Sequence, residues 1–141
     1  MSHTNKKHVE IVIVGSGFSG IGAAIELKRI GIHDFVILEK ANDLGGTWRD
    51  NTYPGLTVDV ASTSYSYGFA PKFDWSRLYA PGGEVKAYAD ECALKFGIRE
   101  HIDFGRQVKC SRYDQSANLW ETTLESGEVY SSTYLVSATG L

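Results

Sequence analysis

Three runs of the chain are apolar enough to be buried on both faces: residues 9–14 (Val-Glu-Ile-Val-Ile-Val), 35–38 (Phe-Val-Ile-Leu) and 135–138 (Leu-Val-Ser-Ala). Short apolar runs bounded by turn residues predict buried parallel strands. Between the first two, Ile21, Ala24, Ile25 and Lys28 share one face of a helix that Gly31 ends. Strand, helix and strand make one β-α-β unit of about thirty residues, whose crossover is right-handed. A second helix is predicted over 84–96, where Val85, Tyr88, Ala89, Cys92, Ala93 and Phe96 recur at helical spacing before Gly97. A strand over 102–110 leads into an antiparallel meander of 108–113, 118–125 and 128–134, turning at Ser126-Gly127. Residues 1–8 are polar and predict a disordered tail. Residues 41–83 carry no period and hold all three prolines, a long loop of the kind that wraps a ligand. The fold class is therefore α/β: a Rossmann-like β-α-β unit with an antiparallel meander.

Composition narrows the function. The chain has 141 residues, with 14 Lys and Arg against 17 Asp and Glu, a net charge of −3. This balance, with no basic cluster longer than Lys6-Lys7, speaks against a nucleic-acid partner. Two cysteines, Cys92 and Cys110, do not make a disulfide scaffold, and no metal-ligand spacing joins the four histidines. Aromatics at 12 % and an apolar fraction of 43 % exclude a disordered acidic chain. Glu10 and the glycines after it break what would otherwise resemble a secretion signal, and no run is long enough to span a membrane. The reading is a soluble cytoplasmic protein with no membrane partner.

The chemistry starts at Gly15-Ser16-Gly17-Phe18-Ser19-Gly20, directly after the first strand and opening the first helix. In this spacing the first glycine makes the tight turn, the second lets backbone approach a pyrophosphate, and the third lets helix and strand pack closely. The helix N-terminus adds free N–H groups and partial positive charge. Glu39 ends the second strand, where an acid accepts from ribose hydroxyls and disfavours a ribose 2′-phosphate. The ligand is a dinucleotide, FAD or NAD. A second motif, Asp43-Leu44-Gly45-Gly46-Thr47-Trp48, removes two Cβ atoms where backbone meets a bulky ligand. An NAD domain would enter a further helix here, whereas this chain runs into an aromatic loop.

These residues carry a resemblance. The glycine loop, Glu39, Gly45-Gly46 and Ala138-Thr139-Gly140 resemble the FAD-binding domain of glutathione-reductase-type flavoproteins. Residues 45–59, from Gly45-Gly46-Thr47-Trp48 through Tyr53-Pro54-Gly55 to Asp59, resemble a motif of Baeyer–Villiger monooxygenases, with every defined position met. Tyr65-Ser66-Tyr67-Gly68-Phe69 and Asp74-Trp75-Ser76 fit that family too, while Val58 stands where relatives often have Cys. The resemblance covers residues 9–141. The family's second glycine motif, for NADPH, and its F-x-G-x-x-x-H-x-x-x-W signature are not in the sequence. The expectation is therefore a truncated chain: residues 9–141 as the N-terminal part of the FAD domain, without the NADPH domain.

The resemblance implies FAD as cofactor and NADPH as co-substrate. The reaction implied is ketone oxidation by O2 to an ester or lactone through a C4a-peroxyflavin, with this stretch alone inactive. It implies that Gly15, Ser16, Gly17, Phe18, Ser19 and Gly20 cradle the pyrophosphate. Glu39, with Lys40 beside it, holds the adenosine ribose. Gly46, Thr47 and Trp48 line the cofactor, and Val108 offers backbone groups to adenine. Asp59, the candidate catalytic residue, and Tyr65 lie near the flavin ring. Alternatives at this stage are a flavin monooxygenase oxidising nitrogen or sulfur, a non-catalytic FAD-binding remnant, and an NAD-dependent dehydrogenase.

Overall fold

The computed structural model describes residues 6–141. Strand β1 (Lys6–Val14) turns through the glycine loop into α1 (Phe18–Arg29), and β2 (Phe35–Leu38) follows. The long connection after β2 holds a single helical turn, α2 (Thr47–Asp50), and a 3-10 turn at Ser62–Ser64. Helix α3 (Gly82–Lys95) and another 3-10 turn lead to β3 (Ile102–Asp103), β4 (Val108–Asp114), β5 (Leu119–Leu124) and β6 (Val129–Ser137). All six strands join one sheet in the order β3-β2-β1-β6-β5-β4. From β3 to β6 the pairings are parallel, and β6-β5 and β5-β4 are antiparallel. Strand β6 is the seam between a Rossmann-like half and a meander.

Side-chain alternation along β1 and β2 builds a core on each face. Ile11, Ile13, Phe35 and Ile37 face the helices, where they meet Ile21, Ala24 and Ile25 of α1 and Tyr88, Ala89, Cys92 and Ala93 of α3. Val12, Val36 and Leu38 face the other way and pack with Leu124 and Tyr130 from the meander. Lys28 and Arg29 occupy the last turn of α1, where cations complement the helix dipole.

The structure differs from the sequence expectation at three boundaries. Strand β1 begins at Lys6, not Val9, because Lys6, Lys7 and His8 pair in register with Val129, Tyr130 and Ser131 of β6. Parallel pairing there outweighs the polar character of the segment; residues 1–5 of the expected disordered tail lie outside the described residues. The strand expected over 102–110 is two strands. After β3 the chain turns back on the β2 loop, with Gly105 N donating to Ala41 O at 2.9 Å and Arg106 N to Glu39 O at 2.8 Å. It then crosses to the opposite edge of the sheet as β4. Conversely, the segments 128–134 and 135–138 are one continuous strand, β6.

The segment 41–81 is fixed chiefly by aromatic side chains. Tyr88 of α3 reaches into it: its hydroxyl donates to Ala70 O at 2.7 Å and accepts from Tyr67 N at 2.8 Å. Tyr67 in turn stacks on Phe18 and Phe69 and donates to Phe18 O at 2.6 Å. Tyr88→Phe leaves an N–H and a carbonyl of the loop without their partner. It is expected to cost about 2 kcal/mol, read as a lowered urea midpoint with unchanged slope.

Candidate functional site

Three loops meet at the C-terminal ends of β1, β2 and β6, the usual place for a ligand in an open α/β sheet. They enclose a cleft of about 540 Å³ lined by the Gly15–Ser19 loop, Leu38 to Lys40, Gly45 to Asp50, Tyr65, Gln107, Val108 and residues 138–141.

The glycine loop has its shape for reasons visible in space. Gly15 has φ +100°, and a Cβ there would sit 2.5 Å from Ala138 O. A Cβ on Gly20 would fall 1.9 Å from Gly15 O, so α1 can start this close to β1 only with glycine at that position. Gly17 caps α1 with no side-chain hydrogen bond, and the first turn contains no acid. The orphan N–H groups of that turn are thus left for a ligand, with the dipole favouring an anion. Directly beside it, Gly46 has φ +52°, and its missing Cβ would lie 3.1 Å from Gly17 Cα. The two glycine motifs touch each other and form one concave wall.

Glu39 sits behind this wall, only 3 % exposed. Its Oε2 accepts from Ser16 N at 3.0 Å and Ser16 Oγ at 2.6 Å. Its Oε1 accepts from Ala41 N at 2.9 Å and lies 3.1 Å from Arg49 Nη1. Burial pushes the carboxyl upward, but the Ser16 hydroxyl, the N–H groups of Ala41 and Ser16 and the Arg49 charge outweigh it. The pKa lies below the ordinary value and Glu39 is an anion. Arg49 is anchored further by Asp43 O at 2.6 Å and by the Asp50 carboxylate at 2.9 and 3.1 Å. Lys86 of α3 holds Asp43 at 2.9 Å, tying this corner to the helix layer. On the opposite side Trp48 Nε1 donates to Tyr65 OH at 3.0 Å, and the two rings meet edge to face.

Of the residues expected from sequence, Gly15, Ser16, Gly17, Phe18, Ser19, Glu39, Lys40, Gly46, Thr47, Trp48, Tyr65 and Val108 come together at this cleft. Gly20 is buried beneath it as the helix–strand contact. Asp59 is exposed and is not among the lining residues. Ser16 stands differently from a simple phosphate donor, because its N–H and hydroxyl are both committed to Glu39 and its carbonyl accepts from Gly45 N at 2.9 Å. Sequence reasoning missed Arg49 and Gln107. A one-turn helix has no periodicity to expose Arg49. The one signal was a cation inside the motif that follows Glu39.

The fold and this cleft define a nucleotide-binding Rossmann-like domain, and the chain belongs to the NAD(P)-binding Rossmann-like domain family, which matches residues 13–91. Beyond that family, the chain is 44 % identical over 134 residues to a Baeyer-Villiger monooxygenase of Streptomyces coelicolor, covering 95 % of this chain and 26 % of that protein. A Baeyer-Villiger monooxygenase of Pseudomonas aeruginosa is 37 % identical, covering 95 % of this chain and 25 % of that protein. Among solved structures, an open form of cyclohexanone monooxygenase superposes with TM-score 0.89 at 36 % identity, covering 96 % of this chain and 27 % of the other. An oxidized steroid monooxygenase bound to NADP gives TM-score 0.89 at 33 % identity, covering 95 % and 26 %. The resemblance carried by residues 45–59 is borne out by these relatives. The chain spans about a quarter of their length. Among the described residues no helix is long and apolar enough to cross a membrane.

Proposed function

We propose that this chain is the FAD-binding portion of an NADPH- and O2-dependent flavin monooxygenase that converts ketones to esters or lactones, working in the cytoplasm. The observation that carries the reading is the contact between the two glycine motifs. Gly17 and Gly46 form a backbone wall without Cβ atoms beside an uncapped helix N-terminus and a buried anion, which suits a long, flat dinucleotide. In this reading the N–H groups of Gly17, Phe18, Ser19 and Gly20 hold the pyrophosphate, and Gly15 sets the turn that aims them. Glu39 accepts from the adenosine ribose, with Ser16 acting through Glu39 and Lys40 at the rim. Val108 meets the adenine. Gly46, Thr47 and Trp48 line the path toward the flavin ring, with Tyr65 braced by Trp48. The role of Asp59 near the ring rests on the resemblance alone.

When bound, FAD supplies the redox chemistry that takes electrons from NADPH and activates oxygen, while the protein binds, orients and excludes water. Names of relatives favour ketones over amines or sulfides as substrates, and cyclohexanone is the ketone in one of those names.

Titration of the purified chain with FAD and with NAD+ tests the binding reading. FAD is expected to bind at least tenfold more tightly, followed by flavin fluorescence and by calorimetry. Tighter binding of NAD+, with no flavin retained, would overturn it in favour of a dehydrogenase. Oxygen-18 incorporation by the whole enzyme into a ketone panel against an amine and sulfide panel separates the two monooxygenase readings.

A further inference from the structure

Both oxygens of the Glu39 carboxylate are held by protein groups before any ligand is considered. A carboxylate has about four lone-pair sites; Ser16 N, Ser16 Oγ and Ala41 N fill three of them, while Arg49 Nη1 lies 3.1 Å from Oε1 as an ion pair, so one acceptor site on Oε1 is not filled by a hydrogen bond among the described residues. Three of these four contacts come from Ser16 and Ala41, in the loops at the strand ends. Arg49 differs in every respect that matters to a ligand. It carries the one full positive charge among the four, it comes from α2, and it makes the longest of the four contacts at 3.1 Å. It also lines the cleft together with Glu39, with its side chain 13 % exposed. Its guanidinium is held in plane by Asp43 O and by the two oxygens of Asp50. Of its five N–H donors, three are spent on these hydrogen bonds; one Nη1–H remains on the nitrogen that pairs with Glu39, and one Nη2–H has no hydrogen bond among the described residues.

A vicinal diol presents hydroxyls that both donate and accept. A carboxylate alone offers acceptors, whereas a carboxylate beside a fixed guanidinium offers both kinds of partner, and the bond to the ionised group is the stronger one. We propose that Arg49 is a positioning residue for ribose recognition: it locks the Glu39 carboxylate in one orientation, so that the pair distinguishes a nucleotide with both ribose hydroxyls from one without them. This rests on the reading that Glu39 meets the adenosine ribose.

The test compares ADP with 2′,3′-dideoxy-ADP as calorimetric ligands of the 141-residue chain, in the wild type, Arg49→Met and Arg49→Lys. The quantity read is the ratio of the two dissociation constants. In the wild type ADP is expected to bind about tenfold or more tightly than the dideoxy analogue. Arg49→Met is expected to reduce the ratio to about twofold or less. Arg49→Lys keeps the charge but loses the planar fork, and is expected to fall between. A merely structural arginine would weaken both ligands alike, so a wild-type ratio in Arg49→Met overturns the proposal. Should that variant not fold, a wild-type ratio in Arg49→Lys overturns it instead. If wild-type chain binds ADP and the dideoxy analogue equally, or binds neither, the ribose reading of Glu39 itself falls and takes the proposal with it.

Discussion

Gly20→Ala is expected to lose about 3 kcal/mol of stability, a fall in melting temperature of about 10 °C, together with nucleotide binding. The added methyl would lie 1.9 Å from the carbonyl oxygen of Gly15 and 3.0 Å from its carbonyl carbon. Both neighbours are backbone, so no rotamer change relieves the clash. Either α1 moves away from β1 or the turn at Gly15 reopens, and each disturbs the N–H groups that face the cleft. Gly17→Ala is the informative contrast. There the nearest heavy atom to the added Cβ is Gly46 Cα at an ordinary 3.7 Å, and the φ of −74° suits any residue. That variant should melt within about 2 °C of the wild type yet bind ADP more weakly, because the methyl occupies backbone surface meant for the ligand. Thermal melts and ADP titrations on the two variants check both halves.

Removal of the Glu39 carboxylate is the second large effect. Glu39→Leu leaves the N–H groups of Ser16 and Ala41 and the Ser16 hydroxyl without acceptors, and Arg49 loses its buried counter-ion. Breaking a buried pair from one side costs about 3–5 kcal/mol, so the leucine variant is expected to be close to unfolded at 37 °C. Glu39→Gln keeps one acceptor and should cost about 2 kcal/mol at neutral pH. Its pH dependence gives the sharper check. The native carboxyl titrates below the ordinary 4.5, so its contribution is present above that value and is lost as pH falls through the native pKa. Wild type and Glu39→Gln should therefore differ most above pH 5 and converge in acid. Urea midpoints across that range measure it, and a gap that stays constant in acid would contradict the assignment of Glu39 as an anion.

Much of the cleft was legible because its parts obey strong local rules. The apolar runs at 9–14 and 35–38, the helical spacing from Ile21 to Lys28 and the glycine positions all point to one β-α-β unit, and the structure builds it with Ile11 to Val14 in register with Phe35 to Leu38. What escaped lacks a local signature. Lys6, Lys7 and His8 look like tail, and they are strand only because β6 lies beside them. The break between β3 and β4 depends on backbone bonds from Gly105 and Arg106 to the distant Ala41 and Glu39. Arg49 shows the same limit within the site. Its contact with Glu39 depends on how the loop from 43 to 50 folds back, and no period in the sequence encodes that path.

Strand β6 has a consequence for how the cleft comes into being. The first nucleotide motif precedes most of the sheet, and Ala138, which abuts Gly15, directly follows β6. The contact joins segments 123 residues apart, and such long closures slow the folding step that makes them. During synthesis the glycine loop leaves the ribosome long before the segment after β6 that it packs against. Nucleotide should thus be absent from early folding species and act late, by trapping the sheet once β6 has closed against β1.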